Sequence, residues 1–218
     1  MKLRDPGHDI HVIERNAHDN TFGWGVVFSD ATIQNLRDND PESAQEILDS
    51  FAHWDDIDVH FKGTTVTSGG HGFCGIARSR MLDILQRRAA SLGIPITFET
   101  EVESLEPYLG YDLVVAADGF NSRVREAYAD KFQPSVDERE NRFIWLGTHH
   151  KFDAFTFIFI ETEEGWVWAH AYRFDDDTCT FIVEMSEDTW QALGLGKMPI
   201  SEGVAWCENL FAEYLGGD

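Results

Sequence analysis

Positive charge is the first thing that this sequence lacks. Its 218 residues include 17 Lys and Arg but 39 Asp and Glu, so the formal net charge is −22. The acidic residues are spread along the whole chain rather than collected in a tail. Because such a surface repels phosphate backbones and anionic lipid headgroups, we expect neither nucleic acid nor a membrane as a partner.

Cysteine is also scarce. Cys74, Cys179 and Cys207 are odd in number and far apart, which argues against the disulfide framework of a small secreted protein. They lack the C-x-x-C spacing of a zinc site, and the nine histidines form no three-ligand set, so no metal is predicted. We expect three buried free thiols in a reducing cytoplasm.

Long apolar runs are missing as well. No stretch approaches the roughly 18 apolar residues of a membrane-spanning helix. The first residues, MKLRDPGHD, lack the apolar core of a signal peptide, so we expect a cytoplasmic protein. The apolar fraction of 43% is nevertheless large enough to fill a core, which argues against disorder.

The local patterns that are present predict an α/β protein, α+β overall, with an antiparallel sheet in its second half. Strands are predicted at 9–14, 94–99 and 111–119, a hairpin within 58–73, and a three-stranded meander within 155–185. Helices are predicted at 38–51, 79–93, 121–132, 186–194 and 201–216, and a loop at 20–30.

Side-chain patterns add detail to three of these helices. Asp40 before Pro41 is typical of an N-cap followed by the first helical residue, and Ser186 is a second predicted N-cap. The helix at 79–93 carries a predicted apolar stripe made of Met81, Leu82, Leu85, Ala89 and Leu92.

Two acidic residues follow predicted strands. Glu14 ends the first strand, in the place where a dinucleotide-binding fold holds an adenosine ribose. Asp118 and Gly119 follow the apolar run of the third strand, at the edge where open α/β sheets bind ligands. That fold also needs a glycine-rich turn about 20 residues before the acid, but only Gly7 precedes Glu14.

The segment GWVWAHAYRF alternates in side-chain size. A strand there places bulky groups on one face, namely Trp166, Trp168, His170 and Tyr172. The opposite face carries the small residues Val167, Ala169 and Ala171. An aromatic substrate cavity fits the bulky face, and so does an ordinary core between a sheet and helices.

Taken together, several stretches resemble the class A flavoprotein monooxygenases of the p-hydroxybenzoate hydroxylase type. DLVVAADGFNSRVR is similar to their DG motif, and HVIERN is similar to their second strand. GIARSRMLDILQRRAASLGI resembles the segment in which an arginine, here Arg78, reaches FAD. The likeness covers essentially the whole chain and is strongest to members that act on aryl-CoA thioesters. It implies a partial Rossmann-like FAD-binding fold with an antiparallel substrate-binding sheet.

The resemblance implies an enzyme that uses FAD, NAD(P)H and molecular oxygen. It would hydroxylate an activated aromatic substrate, such as salicylyl-CoA or 2-aminobenzoyl-CoA, through a flavin hydroperoxide. The implied cofactor-binding residues are Glu14, Arg15, Trp24, Gly25, Val26, Arg78, Asp118 and Gly119. The implied substrate-binding residues are Trp166, Trp168, His170 and Tyr172, and no catalytic residue is assigned.

The same resemblance implies how the chain is organised. The FAD-binding domain is expected at 1–56 and 76–135, and the substrate-binding domain at 57–75 and 136–218. Compared with the family, the N-terminal G-x-G-x-x-G unit and the C-terminal part are missing, so the chain resembles an internal fragment, and we expect weak or absent FAD retention. The alternative is a truncated, catalytically silent product. Such a product would keep substrate or partner binding without flavin, and a second copy could cover its unpaired strand edges.

Overall fold

The computed structural model describes residues 1–217, which form two compact units. The first unit contains residues 1–20 and 89–139, and the second contains residues 21–88 and the chain from residue 140 onward. These units do not have the boundaries of the two functional domains expected from the sequence. The domain assignment therefore stays a prediction.

Strands and helices alternate through the first half of the chain, and strands dominate the middle of the second half. The strands are β1 (Val12–Ile13), β2 (Gly25–Ser29), β3 (Ala52–Trp54), β4 (Ile57–Phe61), β5 (Thr64–Ser68), β6 (Phe73–Ala77), β7 (Ile96–Thr97), β8 (Arg142–Thr148), β9 (Phe155–Thr162), β10 (Gly165–Arg173) and β11 (Cys179–Met185). The helices are α1 (Asp30–Asn39), α2 (Pro41–Asp49), α3 (Arg78–Ser91), α4 (Arg123–Ala127), α5 (Ala129–Phe132), α6 (Glu187–Ala192), α7 (Ile200–Leu210) and α8 (Ala212–Leu215).

The first unit is built on a short parallel pair of strands. β1 pairs with β7, and the backbone N–H of Glu14 continues the ladder by donating to the carbonyl of Thr97 at 2.9 Å. Both strands lie inside segments that the sequence predicts to be extended, although each is only two residues long. Glu14 therefore follows directly on a strand, as predicted.

The predicted buried strand at 111–119 is wrong. Residues 112–118 form no strand, and their apolar side chains face solvent, with Leu113 60% and Val115 73% exposed. A strand needs a neighbour to satisfy its backbone N–H and C=O groups. Within residues 1–217 no segment pairs with this run, so its apolar composition does not produce a strand.

The second unit contains a six-stranded sheet in the order β5-β4-β9-β10-β11-β8. The β9, β10 and β11 meander is antiparallel, as predicted, and β4 with β5 forms the predicted hairpin. The sequence reading missed β8, which extends the meander, and also the parallel pairing of β4 with β9.

Helices α6, α7 and α8 belong to the hydrophobic core on one face of this sheet. Val167, Ala169 and Ala171 of β10 are fully buried there, as are Phe211 and the neighbouring Cys207. Their small size lets helices pack close to the strand. The hydroxyl of Ser186 accepts a hydrogen bond from the N–H of Thr189, which confirms the predicted N-cap of α6.

A three-stranded antiparallel sheet, β2-β6-β3, packs with α1, α2 and the first part of α3. The predicted loop at 20–30 is wrong in its second half, because residues 25–29 pair with β6. The stripe predicted for α3 is partly right, since Met81 packs against this core. Ile84 is the residue buried in the core of this sheet, whereas Leu85 is 40% exposed.

Asp40 precedes α2 as predicted, but its carboxylate does not cap the helix. It instead binds the guanidinium of Arg88 through two hydrogen bonds of 2.9 Å. The hydroxyl of Ser43 donates to the same carboxylate. These interactions, the Arg88 bond above all, hold the pKa of Asp40 below its ordinary value.

The Asp40–Arg88 pair should stabilise the protein at neutral pH and lose its effect in acid. Because the pKa of Asp40 is lower when folded, its stabilisation is complete above the unfolded pKa of about 3.9 and disappears as pH falls through the folded pKa. Asp40→Asn should lower the free energy of unfolding by about 1 kcal/mol at pH 7.

Urea unfolding at pH 7 and at pH 3 measures this effect. The difference between wild type and Asp40→Asn should shrink at the lower pH. Asp49→Asn is the control, since Asp49 accepts a hydrogen bond from Gln45 and forms no ion pair within the described chain. A difference for Asp40→Asn that is equally large at both pH values would contradict the assignment.

Candidate functional site

The carboxylate of Glu14 is held at the end of β1. Its Oε1 atom accepts hydrogen bonds from the backbone N–H of Asn16 at 2.7 Å and from the Asn16 side-chain amide at 2.8 Å. Glu14 is half-buried and the adjacent Arg15 is exposed. An acceptor oriented at the carboxyl end of a parallel strand can bind sugar hydroxyls.

Asp118 and Gly119 lie in the same unit as Glu14, in an irregular segment before α4. The Asp118 carboxylate accepts a hydrogen bond from the N–H of Val124 at 3.3 Å, and interaction with Ser122 lowers its pKa. Gly119 has φ +82°, a backbone conformation that favours glycine. The contacts of Asp118 are thus with the first turn of the following helix.

An open cleft of about 620 Å³ lies beside this segment. Its lining is largely apolar and includes Asp118, Gly119, Leu105, Leu109, Val114, Val115, Ala116, Ser122, Val124, Arg125, Tyr128 and Phe132. The unpaired run described above forms one of its walls. The cleft therefore exposes apolar side chains that the sequence predicts to be buried.

In the second unit, the guanidinium of Arg78 is surrounded by aromatic rings. This residue begins α3, and its backbone N–H donates to the carbonyl of Trp24 at 3.0 Å. Its guanidinium carbon lies 5.0 Å from the ring centre of Phe22 and 5.7 Å from that of Trp145. The cation thus packs against aromatic rings, an arrangement that stabilises it without an acid.

No carboxylate among residues 1–217 lies within 4.0 Å of this guanidinium, although the chain carries 39 acidic residues. The Nε atom of Arg78 is buried and has no hydrogen-bond partner. The Oγ1 atom of Thr21 and the Nε1 atom of Trp145 are also buried and unpartnered. Because buried polar groups are nearly always hydrogen-bonded, the adjacent Arg78 and Trp145 indicate a site for a polar or anionic ligand.

The glycines near Trp24 have a packing role. A Cβ on Gly25 would lie 2.4 Å from the Cβ of Phe174, and one on Gly23 would lie 2.6 Å from the ring of Trp145. Trp24 itself is 45% exposed, and Val26 packs against the core that contains Ile76. Contacts within the protein therefore suffice to explain why residues 23 and 25 are glycine.

Gly25→Ala should lower the free energy of unfolding by about 1–3 kcal/mol, because the new methyl group would overlap Phe174. Gly203→Ala is the matched control. Gly203 lies inside α7 with no atom within 4 Å of its added Cβ, so the change should raise stability by roughly 0.5–1 kcal/mol. Denaturant unfolding of both variants measures the two effects, and changes of the same sign would contradict the packing argument.

The face of the six-stranded sheet opposite the helices is rich in aromatic side chains. We call it the aromatic face and define it by Phe155, Phe157, Phe159, Trp166, Trp168, His170 and Tyr172. Most of these residues are half-buried. Tyr172 is buried, and its hydroxyl donates to the carbonyl of Gly25 at 3.1 Å. The predicted alternation along β10 is therefore present, with the small residues in the core.

Sequence reasoning missed Glu184, which lies on this face beside His170. It also missed the contribution of Phe22 and Trp145 to the surroundings of Arg78. A signal for Glu184 was available, since one carboxylate interrupts the apolar strand FIVEM. No comparable signal marks the Arg78 cluster, because its members are distant in sequence.

The three cysteines are free and buried, as predicted. Burial raises the pKa of Cys74 and of Cys207 to about 11, which makes these thiols unreactive near neutral pH. Across residues 1–217, no cluster of three His, Cys, Asp or Glu side chains is placed to hold a metal ion. In the same range, no helix combines the length and apolar character needed to cross a membrane.

The fold is shared with solved flavoenzyme structures. It superposes on p-nitrophenol 4-monooxygenase PnpA from Pseudomonas putida DLL-E4 with a TM-score of 0.73 at 14% identity, covering 98% of this chain and 58% of that one. It also superposes on PqsL from Pseudomonas aeruginosa, described as a probable FAD-dependent monooxygenase, with a TM-score of 0.66 at 15% identity. That match covers 99% of this chain and 65% of PqsL. No protein-family model matches the chain.

Curated relatives at 33–40% identity are named as a hydroxylase and two monooxygenases, and with the shared fold they support the resemblance of the chain to the class A flavin-dependent aromatic monooxygenases. It is similar to salicyloyl-CoA 5-hydroxylase from a Streptomyces species, with 40% identity over 99% of this chain and 42% of the relative.

Two further relatives support this placement. Protodeoxyviolaceinate monooxygenase from Chromobacterium violaceum is 33% identical over 100% of this chain and 59% of the relative. 3-Hydroxy-4-methyl-anthranilyl-[aryl-carrier protein] 5-monooxygenase from Streptosporangium sibiricum is 34% identical over 82% of this chain and 50% of the relative. The chain thus spans about half the length of the curated relatives that it matches. The resemblance seen in the sequence is confirmed.

Proposed function

We propose that the protein acts in the FAD- and NAD(P)H-dependent hydroxylation of an activated aromatic ring. The observation that carries this proposal is Arg78, a half-buried cation without an acidic partner in the described chain, set among unpartnered buried donors. Such a cluster fits a polar, negatively charged cofactor such as FAD. When bound and reduced by NAD(P)H, FAD would supply the activated oxygen that the protein itself lacks.

Local contacts of the side chains support the proposed cofactor-binding roles. Arg78 would bind an anionic or carbonyl group of FAD, and Glu14, beside Arg15, would accept hydrogen bonds from ribose hydroxyls. The remaining proposed cofactor contacts are Trp24, Gly25, Val26, Asp118 and Gly119. Among these, the exposed ring of Trp24 is available for stacking, whereas Gly25 is already in contact with Phe174.

An aryl thioester is the proposed substrate class. Two of the relatives carry names in which an aryl group is joined to CoA or to an aryl-carrier protein. The aromatic face offers rings against which a planar aryl group can stack, with Trp166, Trp168 and His170 still partly exposed. Tyr172 would have a supporting role, since its hydroxyl donates to the carbonyl of Gly25 at the start of β2.

Hydroxylation by the purified chain tests the proposal. The chain is saturated with FAD and supplied with NADH or NADPH, air and salicyloyl-CoA, with salicylate as the comparison substrate. We expect substrate-dependent oxidation of the nicotinamide and a thioester product heavier by one oxygen atom in the mass spectrum. Bound FAD together with no oxygenated product from either substrate would contradict the proposed activity.

A further inference from the structure

An imidazole and a carboxylate lie side by side on the aromatic face. The Nδ1 atom of His170 is 4.0 Å from the Oε1 atom of Glu184, and their side chains are 20% and 29% exposed. The indole Nε1–H of Trp168 donates to the other carboxylate oxygen of Glu184 at 3.1 Å. The indole therefore fixes the carboxylate next to the imidazole, while both groups keep some access to solvent.

Aromatic and aliphatic side chains surround this pair. The rings of Phe155 and Phe157 lie 6.2 Å and 5.9 Å from the imidazole of His170. Ile182 stands opposite His170 on β11. A planar ring that packs on these side chains would meet one polar group, the imidazole, in a largely apolar setting.

The imidazole is ready to accept a proton. Burial lowers the pKa of His170, and the charge of Glu184 only partly offsets that effect. The ring is therefore neutral near pH 7, with one nitrogen free to act as an acceptor. Once the imidazole is protonated, the adjacent carboxylate stabilises the positive charge.

The other charged or titratable groups that meet this face either have partners elsewhere or cannot take up a proton. Arg78 packs against Trp145 of β8, and its charge acts on Tyr172, but a guanidinium is already protonated near neutral pH. Glu161 of β9 pairs with Lys62 of the β4–β5 turn at 3.1 Å. Tyr172 is buried with its hydroxyl bonded to Gly25, and burial raises its pKa. β4, β5, β8 and β11 contribute no further charged side chain in register with this face, apart from Glu184. His170 is thus the group on the face that is placed to take up a proton.

We propose that His170 is a catalytic base that removes the proton of a hydroxyl on the substrate ring, and that Glu184 positions it. The O–H bond of the substrate breaks, the proton moves to a ring nitrogen of His170, and the electron pair stays on the phenolate oxygen. No electrons are exchanged with another group. A phenolate is a more electron-rich ring than a phenol and so reacts faster with electrophilic oxygen. This inference rests on the proposed function and narrows the substrate class to aryl groups with an ionisable hydroxyl.

Binding of 4-nitrophenol and of nitrobenzene to the full chain tests the inference without flavin. The ionised form of 4-nitrophenol absorbs visible light, so a pH titration reports the pKa of the bound phenol. His170→Gln should raise the bound pKa by about one unit, which means about tenfold less phenolate at a given pH.

Controls separate a chemical role from a structural one. Glu184→Gln should shift the bound pKa in the same direction by less, whereas Glu161→Gln, on the same face, should leave it unchanged. Nitrobenzene has no proton to lose, so unchanged nitrobenzene affinity shows that a variant keeps its site. His170→Asn is the second variant, to be used if His170→Gln does not fold.

The outcomes distinguish this inference from the proposed function. If 4-nitrophenol ionises equally in wild type and in the folded His170 variants, the inference is overturned while the hydroxylase proposal stands. If wild type binds neither 4-nitrophenol nor nitrobenzene, the aromatic face is not a substrate site and both ideas fall.

Discussion

Arg78→Met should weaken FAD binding by about tenfold or more, because a charge-assisted hydrogen bond contributes roughly 1.5–3 kcal/mol. Methionine keeps an unbranched apolar stem that can pack against Phe22 and Trp145. The substitution therefore removes only the positive charge and the hydrogen-bond donors of the guanidinium. The same substitution should leave stability unchanged or raise it. An uncompensated, partly buried cation is costly to the folded protein when no ligand is present.

Quenching of FAD fluorescence gives the dissociation constant, and thermal unfolding without FAD gives the stability. Arg87→Met is the matched control, since Arg87 lies on the same helix but forms ion pairs with Glu46 and Asp83. It should lose those pairs without affecting FAD affinity. Equal FAD affinity in wild type and Arg78→Met would show that Arg78 is a packing residue.

Phe181→Ala should lower the free energy of unfolding by about 3–5 kcal/mol, since it leaves a cavity in a well-packed core. Phe181 is 2% exposed. Its ring contacts Phe211 edge-to-face at 5.2 Å and stacks near Phe152 at 6.1 Å. These three rings join β11 to the junction of α7 with α8 and to the β8–β9 connection, so one truncation affects several elements.

Phe143→Ala is the control for that prediction. Phe143 lies on β8, directly beside β11, but is 62% exposed, so its loss should change stability by no more than about 0.5 kcal/mol. Denaturant unfolding followed by tryptophan fluorescence measures both variants. A small effect for Phe181→Ala would mean that the helices are not firmly packed on the sheet.

The sequence predicted those elements whose signals are local. The β4–β5 hairpin, the meander around β10 and the N-cap at Ser186 depend on residues within a few positions of each other, and all three are present. The strand predicted at 111–119 failed because strand formation also needs a partner, which local composition cannot reveal. The stripe on α3 was only partly right for a related reason, since Ile84 is buried against β6 and α2, whose positions the helix periodicity alone does not reveal.

In the candidate site, too, the sequence predicted the features with local signals and missed those that depend on distant residues. Strand alternation was sufficient to place Trp166, Trp168 and His170 on one face. Family resemblance pointed to Arg78, but only the folded chain shows that its guanidinium packs between Phe22 and Trp145. The link between His170 and Glu184 depends on the register of β10 with β11, which no local pattern determines.

The extended run before Asp118 has a practical consequence for handling the protein. Leu113, Val114 and Val115 present apolar side chains and unpaired main-chain groups to solvent. An exposed segment of this kind can pair with the same segment of another chain, as strands do in a growing fibril. A net charge of −22 keeps identical chains apart, but that repulsion is screened over about 10 Å at 0.1 M ionic strength. We therefore expect concentrated salt, a common purification and crystallisation reagent, to weaken the repulsion between chains and to promote their aggregation.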